Sequence, residues 1–172
     1  MVTMATNKAT YKVLRKENNM ELRLYDPMIL VSTQESTLSG ASGFSRVFNF
    51  INGYNDQSRK IAMTTPVFNE ISSTSMTTAF VMPNHFDSNT LPKPKDKQVQ
   101  VIVKGETLIV ACSFSGNVSE KVVNKKAKEC LDWANQQKLK VVGSMLLARY
   151  QPPFIPWFLK RSDVMFEVEL HQ

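Results

Sequence analysis

The sequence predicts an α+β fold: two similar halves, each read as strand, strand, helix, strand, strand, join into one curved sheet or open barrel covered by two helices. Three observations predict it. Several short runs alternate apolar and polar residues, the period of half-buried strands. Two other stretches carry the helical period. The order of these runs repeats after roughly 75 residues, too long for a solenoid unit and suited to a duplicated module. The halves fall at about residues 10–83 and 98–170 of a single domain spanning 1–172.

In the first half, residues 10–15 and 20–24 read as strands, with Met20, Leu22 and Leu24 alternating and Glu17-Asn18-Asn19 as the turn. Pro27 leads into a third strand-like run, 28–31. The small-residue stretch 39–43 breaks the pattern. Phe44, Val47, Phe48 and Ile51 then lie at i, i+3, i+4 and i+7, one face of a helix. Ser39 or Ser42 is placed to cap its start, and Asn52-Gly53 to end it. Period two returns at Ile61, Met63, Thr65 and Val67, and again over 76–82. Residues 84–97, rich in Pro, Asn, Asp and Lys, read as an exposed connection.

The second half repeats the order. Val99, Val101 and Val103 alternate, 104–107 reads as a hairpin turn, and Leu108, Val110, Cys112 and Phe114 alternate again. Asn117 with Glu120 three residues on resembles a capping box. Val123, Ala127, Cys130, Leu131 and Ala134 form one helical stripe, and strands follow at about 145–151 and 164–170.

Composition narrows the function. A 172-residue chain that is 42% apolar can build a core without disulfides or metals. The net charge of +6 is spread along the chain, densest over 121–128 on what reads as a solvated helix face. No zinc pattern, RNA-binding signature or helix-turn-helix spacing points to nucleic acid. No apolar run is long enough to span a membrane, and the polar N-terminus does not look like a signal or transit peptide. A cytoplasmic monomer is the expectation. Cys112 and Cys130 sit in apolar patterns and read as buried free thiols.

No catalytic constellation emerges. His85 lies in the connector and His171 is penultimate, so both read as surface residues. There is no metalloprotease helix motif, nucleophile elbow or phosphate loop. Glu167 and Glu169, two apart on a strand, share a face and could form a carboxylate dyad, though a solvent-facing edge is the simpler reading. The segment after Pro152-Pro153 is strongly apolar, with Phe154, Trp157, Phe158 and Leu159. Such a proline-stiffened loop either folds over the core or rims an apolar pocket or partner surface, with Lys160 and Arg161 beside it to meet an acidic ligand.

Three stretches in order resemble the SOUL haem-binding family. Glu21-Leu22-Arg23-Leu24-Tyr25 is similar to its early Glu-x-Arg-x-Tyr segment, Ile61-Ala62-Met63-Thr64-Thr65-Pro66-Val67 to its central motif, and Tyr150-Gln151-Pro152-Pro153 to its C-terminal Tyr-x-Pro-Pro. The resemblance covers about residues 11–170. It implies duplicated ββαββ-type modules forming a twisted antiparallel barrel-like sheet flanked by two long helices, and non-covalent binding of haem or a related tetrapyrrole without catalysis. Phe44 and Phe48 match apolar groove positions beside the first helix. The expected ligand site is Phe44, Phe48, Met63, Trp157 and Arg161, with no metal site and no catalytic residue. Where some members carry an iron-binding histidine this chain has Leu24, and two basic positions of another branch match Asn49 and Ile155. Arg46, Arg59, Lys60 or Arg161 could replace them. Met63 could offer a thioether to iron, although core packing is the commoner role of such a Met. Two alternatives stay open: a binder or modifier of another apolar small molecule, favoured by Glu167 or Glu169 beside Tyr150, and a protein-interaction module using the 154–159 loop.

Overall fold

The structure, a computed structural model, describes residues 7–35, 41–151 and 155–171. Strands β1 (Asn7–Lys8), β2 (Tyr11–Glu17), β3 (Met20–Tyr25) and β4 (Met28–Glu35) lead into helix α1 (Ala41–Ile51). Then follow β5 (Thr64–Thr65), β6 (Val67–Ile71), β7 (Met76–Val81), β8 (Gln100–Lys104) and β9 (Thr107–Ser115). Helix α2 (Glu120–Gln136) precedes β10 (Leu139–Val141), β11 (Met145–Arg149), a single 3-10 turn (Trp157–Leu159) and β12 (Arg161–Leu170). One sheet runs β2-β3-β9-β12-β11-β6-β7-β4-β8, with β10 on the far end of β12. Its pairings are antiparallel. The fold is thus α+β, a mostly antiparallel curled sheet with two helices of unequal length, 11 and 17 residues.

Side chains alternate between the two faces of the sheet, and each face has its own core. On one face, Val47, Phe50 and Ile51 of α1 pack with Val31, Phe80 and Met82. On the same face, Val123, Cys130, Trp133 and Ala134 of α2 pack with Val110, Cys112, Val164 and Phe166. The opposite face gathers Tyr25, Phe68, Val81, Ile109, Ala111 and Met165 into a third cluster, to which Met28 and Leu30 of β4 add. Strands from both ends of the path meet there, so this is the inside of the curl.

Several local readings change. Ile61 and Met63 lie outside any strand, and Pro66 separates β5 from β6 because it has no amide to give a ladder. The cap of α2 is Ser119, whose hydroxyl accepts from the Val122 amide, so the helix begins two residues later than Asn117 would set it. Leu131, assigned to the α2 stripe, is exposed, and Trp133 is buried instead. The connector 84–97 is not merely exposed: Phe86 and Leu91 are buried in the α1 cluster. Ser42 lies inside α1, and Ser39 lies outside the described residues, as do Pro152, Pro153 and Phe154. Other readings hold. Asn18 turns the β2–β3 hairpin with φ 53°, and Gly53 follows α1 with φ 113°, where a side chain would be strained. Cys112 and Cys130 are free and buried, and on α2 Lys128 sits 3.6 Å from Asp132 in solvent.

Candidate functional site

The apolar stripe of α1 splits by angle. Successive residues of a helix turn by about 100°, so Val47, Phe50 and Ile51 point into the sheet while Phe44 and Phe48 fall on one flank. The two rings stack, with centroids 5.9 Å apart and planes 12° apart. Phe44 also leans on Phe80 of β7 at 5.3 Å, which ties the pair to the core. Yet Phe44 is 38% and Phe48 40% exposed. The chain returns from the helix end along α1's last residues and β7. Asn52 bridges to Lys60, the Ile61 amide donates to the Ile51 carbonyl at 2.7 Å, and the Thr64 hydroxyl bonds the Val81 carbonyl. Met63 lies on this returning segment and is 42% exposed, so it is not a core residue.

The cations sort by position. Lys60 sits on the returning segment, bridged to Asn52 just past the end of α1. Arg59 lies over the Phe86 ring, 5.1 Å from its centre. Arg46 is two residues from Phe44 and Phe48 and so projects from the opposite flank of α1. Arg161 opens β12, three strands away from β7. There it covers the Tyr150 ring at 4.8 Å and places Nη2 3.8 Å from Asp163. Trp157 belongs to the 3-10 turn; its side chain lies outside the described residues. The structure therefore brings Phe44 and Phe48 together, sets Met63 on the adjoining segment, and holds Arg161 apart from them. His85 packs on Phe86 at 4.2 Å.

A second group, on the inside of the curl, was not foreseen. Period two puts Glu21, Arg23 and Tyr25 on one face of β3. Arg23 is fully buried, donating to Glu21 at 2.6 Å, to Asp163 at 2.7 Å and to Tyr25 at 3.1 Å, with its guanidinium 4.4 Å from the centre of the Tyr11 ring. Asp163 also accepts from the Ser113 and Tyr150 hydroxyls, each at 2.6 Å. Burial works against the Arg23 charge, but Tyr25 and Asp163 more than offset it and its pKa is raised. Burial, reinforced by Asp163, pushes Tyr150 up. Two of the three family-like motifs thus meet at Asp163. The dyad reading of Glu167 and Glu169 is corrected: Glu167 pairs with Lys104 at 2.9 Å, Glu169 is exposed, and the carboxylate beside Tyr150 is Asp163.

The family model of the SOUL heme-binding proteins matches residues 6–167. The chain belongs to the SOUL haem-binding family. No curated protein matches it in sequence. Solved structures share the fold of this SOUL protein at low identity. The C-terminal domain of EcmrR superposes with TM-score 0.67 at 10% identity, covering 94% of this chain and 99% of that one. A hydrolase from Listeria innocua gives 0.64 at 11%, covering 91% and 94%. SAV2435 bound to tetraphenylphosphonium gives 0.51 at 13%, covering 93% and 94%. These likenesses concern the fold alone. Among the described residues no helix is long and apolar enough to cross a membrane.

Proposed function

We propose that this SOUL protein binds haem or a related tetrapyrrole non-covalently on the α1 flank, and that it acts as a binder rather than a catalyst. One observation carries the reading: two stacked phenylalanines stay about two-fifths exposed on a helix whose neighbouring apolar residues are buried. A flat macrocycle would cover both rings, gaining area burial of about 25 cal/mol per Å² plus ring stacking. Phe44, Phe48 and Met63 suit the ring, and Lys60 suits an acidic substituent. Haem would bring redox chemistry of its own when bound. The chain's part is to hold its face and shield it from water. Asp163 is saturated by Arg23, Ser113 and Tyr150, which supports binding without catalysis.

The same reading includes duplication. The β4–β8 pairing has a counterpart in β9–β3, β4–β7 in β9–β12, and β6–β7 in β11–β12, with β6–β11 at the centre. That correspondence supports two ββαββ-type modules in one domain. Phe158 and Leu159, 60% and 61% exposed, favour a second reading of the loop as a contact surface for a protein partner.

The test is titration of the purified protein with haemin and with protoporphyrin IX, followed in the Soret band and in tryptophan fluorescence. Saturable binding at micromolar ligand is expected, weakened about tenfold by Phe48→Ala with little loss of stability. Unaltered spectra at tens of micromolar ligand would sink the reading.

A further inference from the structure

On the helix-covered face a single row of residues crosses the sheet from one helix to the other. The register sets Phe80 opposite Val67, Val67 opposite Arg149, Arg149 opposite Ser162, and Ser162 opposite Phe114. Phe80 carries Phe44 of α1, and Phe114 belongs to the α2 core. Arg149 therefore stands in the gap between the helices, about 10 Å from Phe80 at roughly 5 Å per strand.

A recess of about 450 Å³ opens there, within the size range of small-molecule sites. Arg149, Lys160 and Arg161 line it, with Asn117, Ser119 and Ser162 as polar groups. No aspartate or glutamate is among the described residues that line it. Arg161 borders it, but its guanidinium turns to the other face of the sheet, over the Tyr150 ring and 3.8 Å from Asp163. Arg149 and Lys160 have no ion pair among the described residues. Desolvation by the walls lowers the pKa of Arg149, as expected of a cation with no carboxylate beside it. Arg149 and Lys160 thus line the recess without a counter-charge, and an anion there would meet two cations.

We infer that this recess is a binding site for an oxyanion group, a carboxylate or a phosphate, contacted by Arg149 and Lys160. The group has two possible sources. It is either the acid end of the flat ligand on the α1 flank, which the row places within reach, or a free phosphate-type anion. As an oxyanion site the recess stands independently of the tetrapyrrole reading; only its use by that ligand's acid groups rests on it.

The intact protein is titrated calorimetrically with inorganic pyrophosphate, and spectroscopically with protoporphyrin IX and its dimethyl ester. The variants are Arg149→Gln, Lys160→Gln and, as a charge control outside the recess, Lys125→Gln. The proposal expects pyrophosphate or the diacid to lose about tenfold in affinity in the first two variants and to be unaffected in the control. Loss confined to the diacid, with the ester unaffected, names the ligand's acid groups as the source, and loss confined to pyrophosphate names a free anion. Pyrophosphate binding that depends on Arg149, without porphyrin binding, keeps the recess and defeats the aromatic flank. If porphyrin binds but neither probe responds to Arg149→Gln or Lys160→Gln, or if Lys125→Gln weakens binding equally, the recess proposal is overturned. So too if neither probe binds at all.

Discussion

At the residue scale the molecule concentrates its cost in one ion pair. Arg23 and Asp163 are both fully buried, 2.7 Å apart, and come from strands 140 residues distant in sequence. Desolvating such a pair costs several kcal/mol per ion, which attraction offsets only when the remaining hydrogen-bonding sites are satisfied. Here Glu21, Tyr25, Ser113 and Tyr150 satisfy them. Removing one partner is therefore far worse than never having had the pair. Asp163→Ala is expected to cost about 3–5 kcal/mol in urea unfolding, because Arg23 stays charged and buried. Asp163→Asn should cost less, since its carbonyl can still accept. A loss below about 1 kcal/mol for the alanine variant would mean that Arg23 escapes to solvent and that the network holds little together. Asp163 carries no pattern of its own: it stands just before the run read as a strand at 164–170, which holds two further acids, Glu167 and Glu169. Its one available signal was the charged Arg23 sharing a strand face with Glu21 and Tyr25.

At the element scale, helices were legible and their ends were not. The i, i+3, i+4, i+7 spacing located α1, but it could not divide Val47 and Ile51, which are buried, from Phe44 and Phe48, which are not. A hundred degrees per residue fixes the stripe; the tilt of the helix on β4 and β7 decides which edge stays wet, and that tilt is tertiary. The same limit applied to α2. Asn117 and Ser119 are both good caps by type, and the structure chose Ser119. Ser119→Ala should therefore destabilise the protein by about 1 kcal/mol in urea unfolding. Asn117→Ala should cost clearly less, and the reverse order would return the cap to Asn117. The connector 84–97 hides its anchors for a related reason. Its polar residues are solvated, but Phe86 and Leu91 anchor it beneath α1, and two apolar side chains in a polar stretch carry no period to betray them.

At the scale of the whole molecule, buried proton-bearing groups lie on both faces of the sheet. Burial pushes the Cys112 thiol from 9.0 up to about 11, with Lys126 pulling it back and Glu129 and Asp163 adding to the rise. Burial also raises Cys130, beneath α2, and Tyr25 and Tyr150, inside the curl. A raised pKa means that the native state keeps its proton after the unfolded chain has lost it. Above about pH 9 the unfolded state thus binds fewer protons than the native one, and stability falls as pH rises. The Cys112 contribution is complete below the unfolded value of 9.0 and is spent once pH passes about 11; the tyrosines begin their own loss near pH 10. Because these groups sit in separate cores, the expected result is cooperative loss of the whole fold rather than fraying of one edge. Urea midpoints measured from pH 7 to 11 should stay flat to about pH 9 and then drop, with near- and far-ultraviolet circular dichroism moving together. Cys112→Ala should start from a somewhat lower plateau and fall less steeply between pH 9 and 11. An equal slope in that variant would place the proton linkage on Cys130 and the tyrosines alone, and would mean that water reaches the Cys112 thiol in the native state.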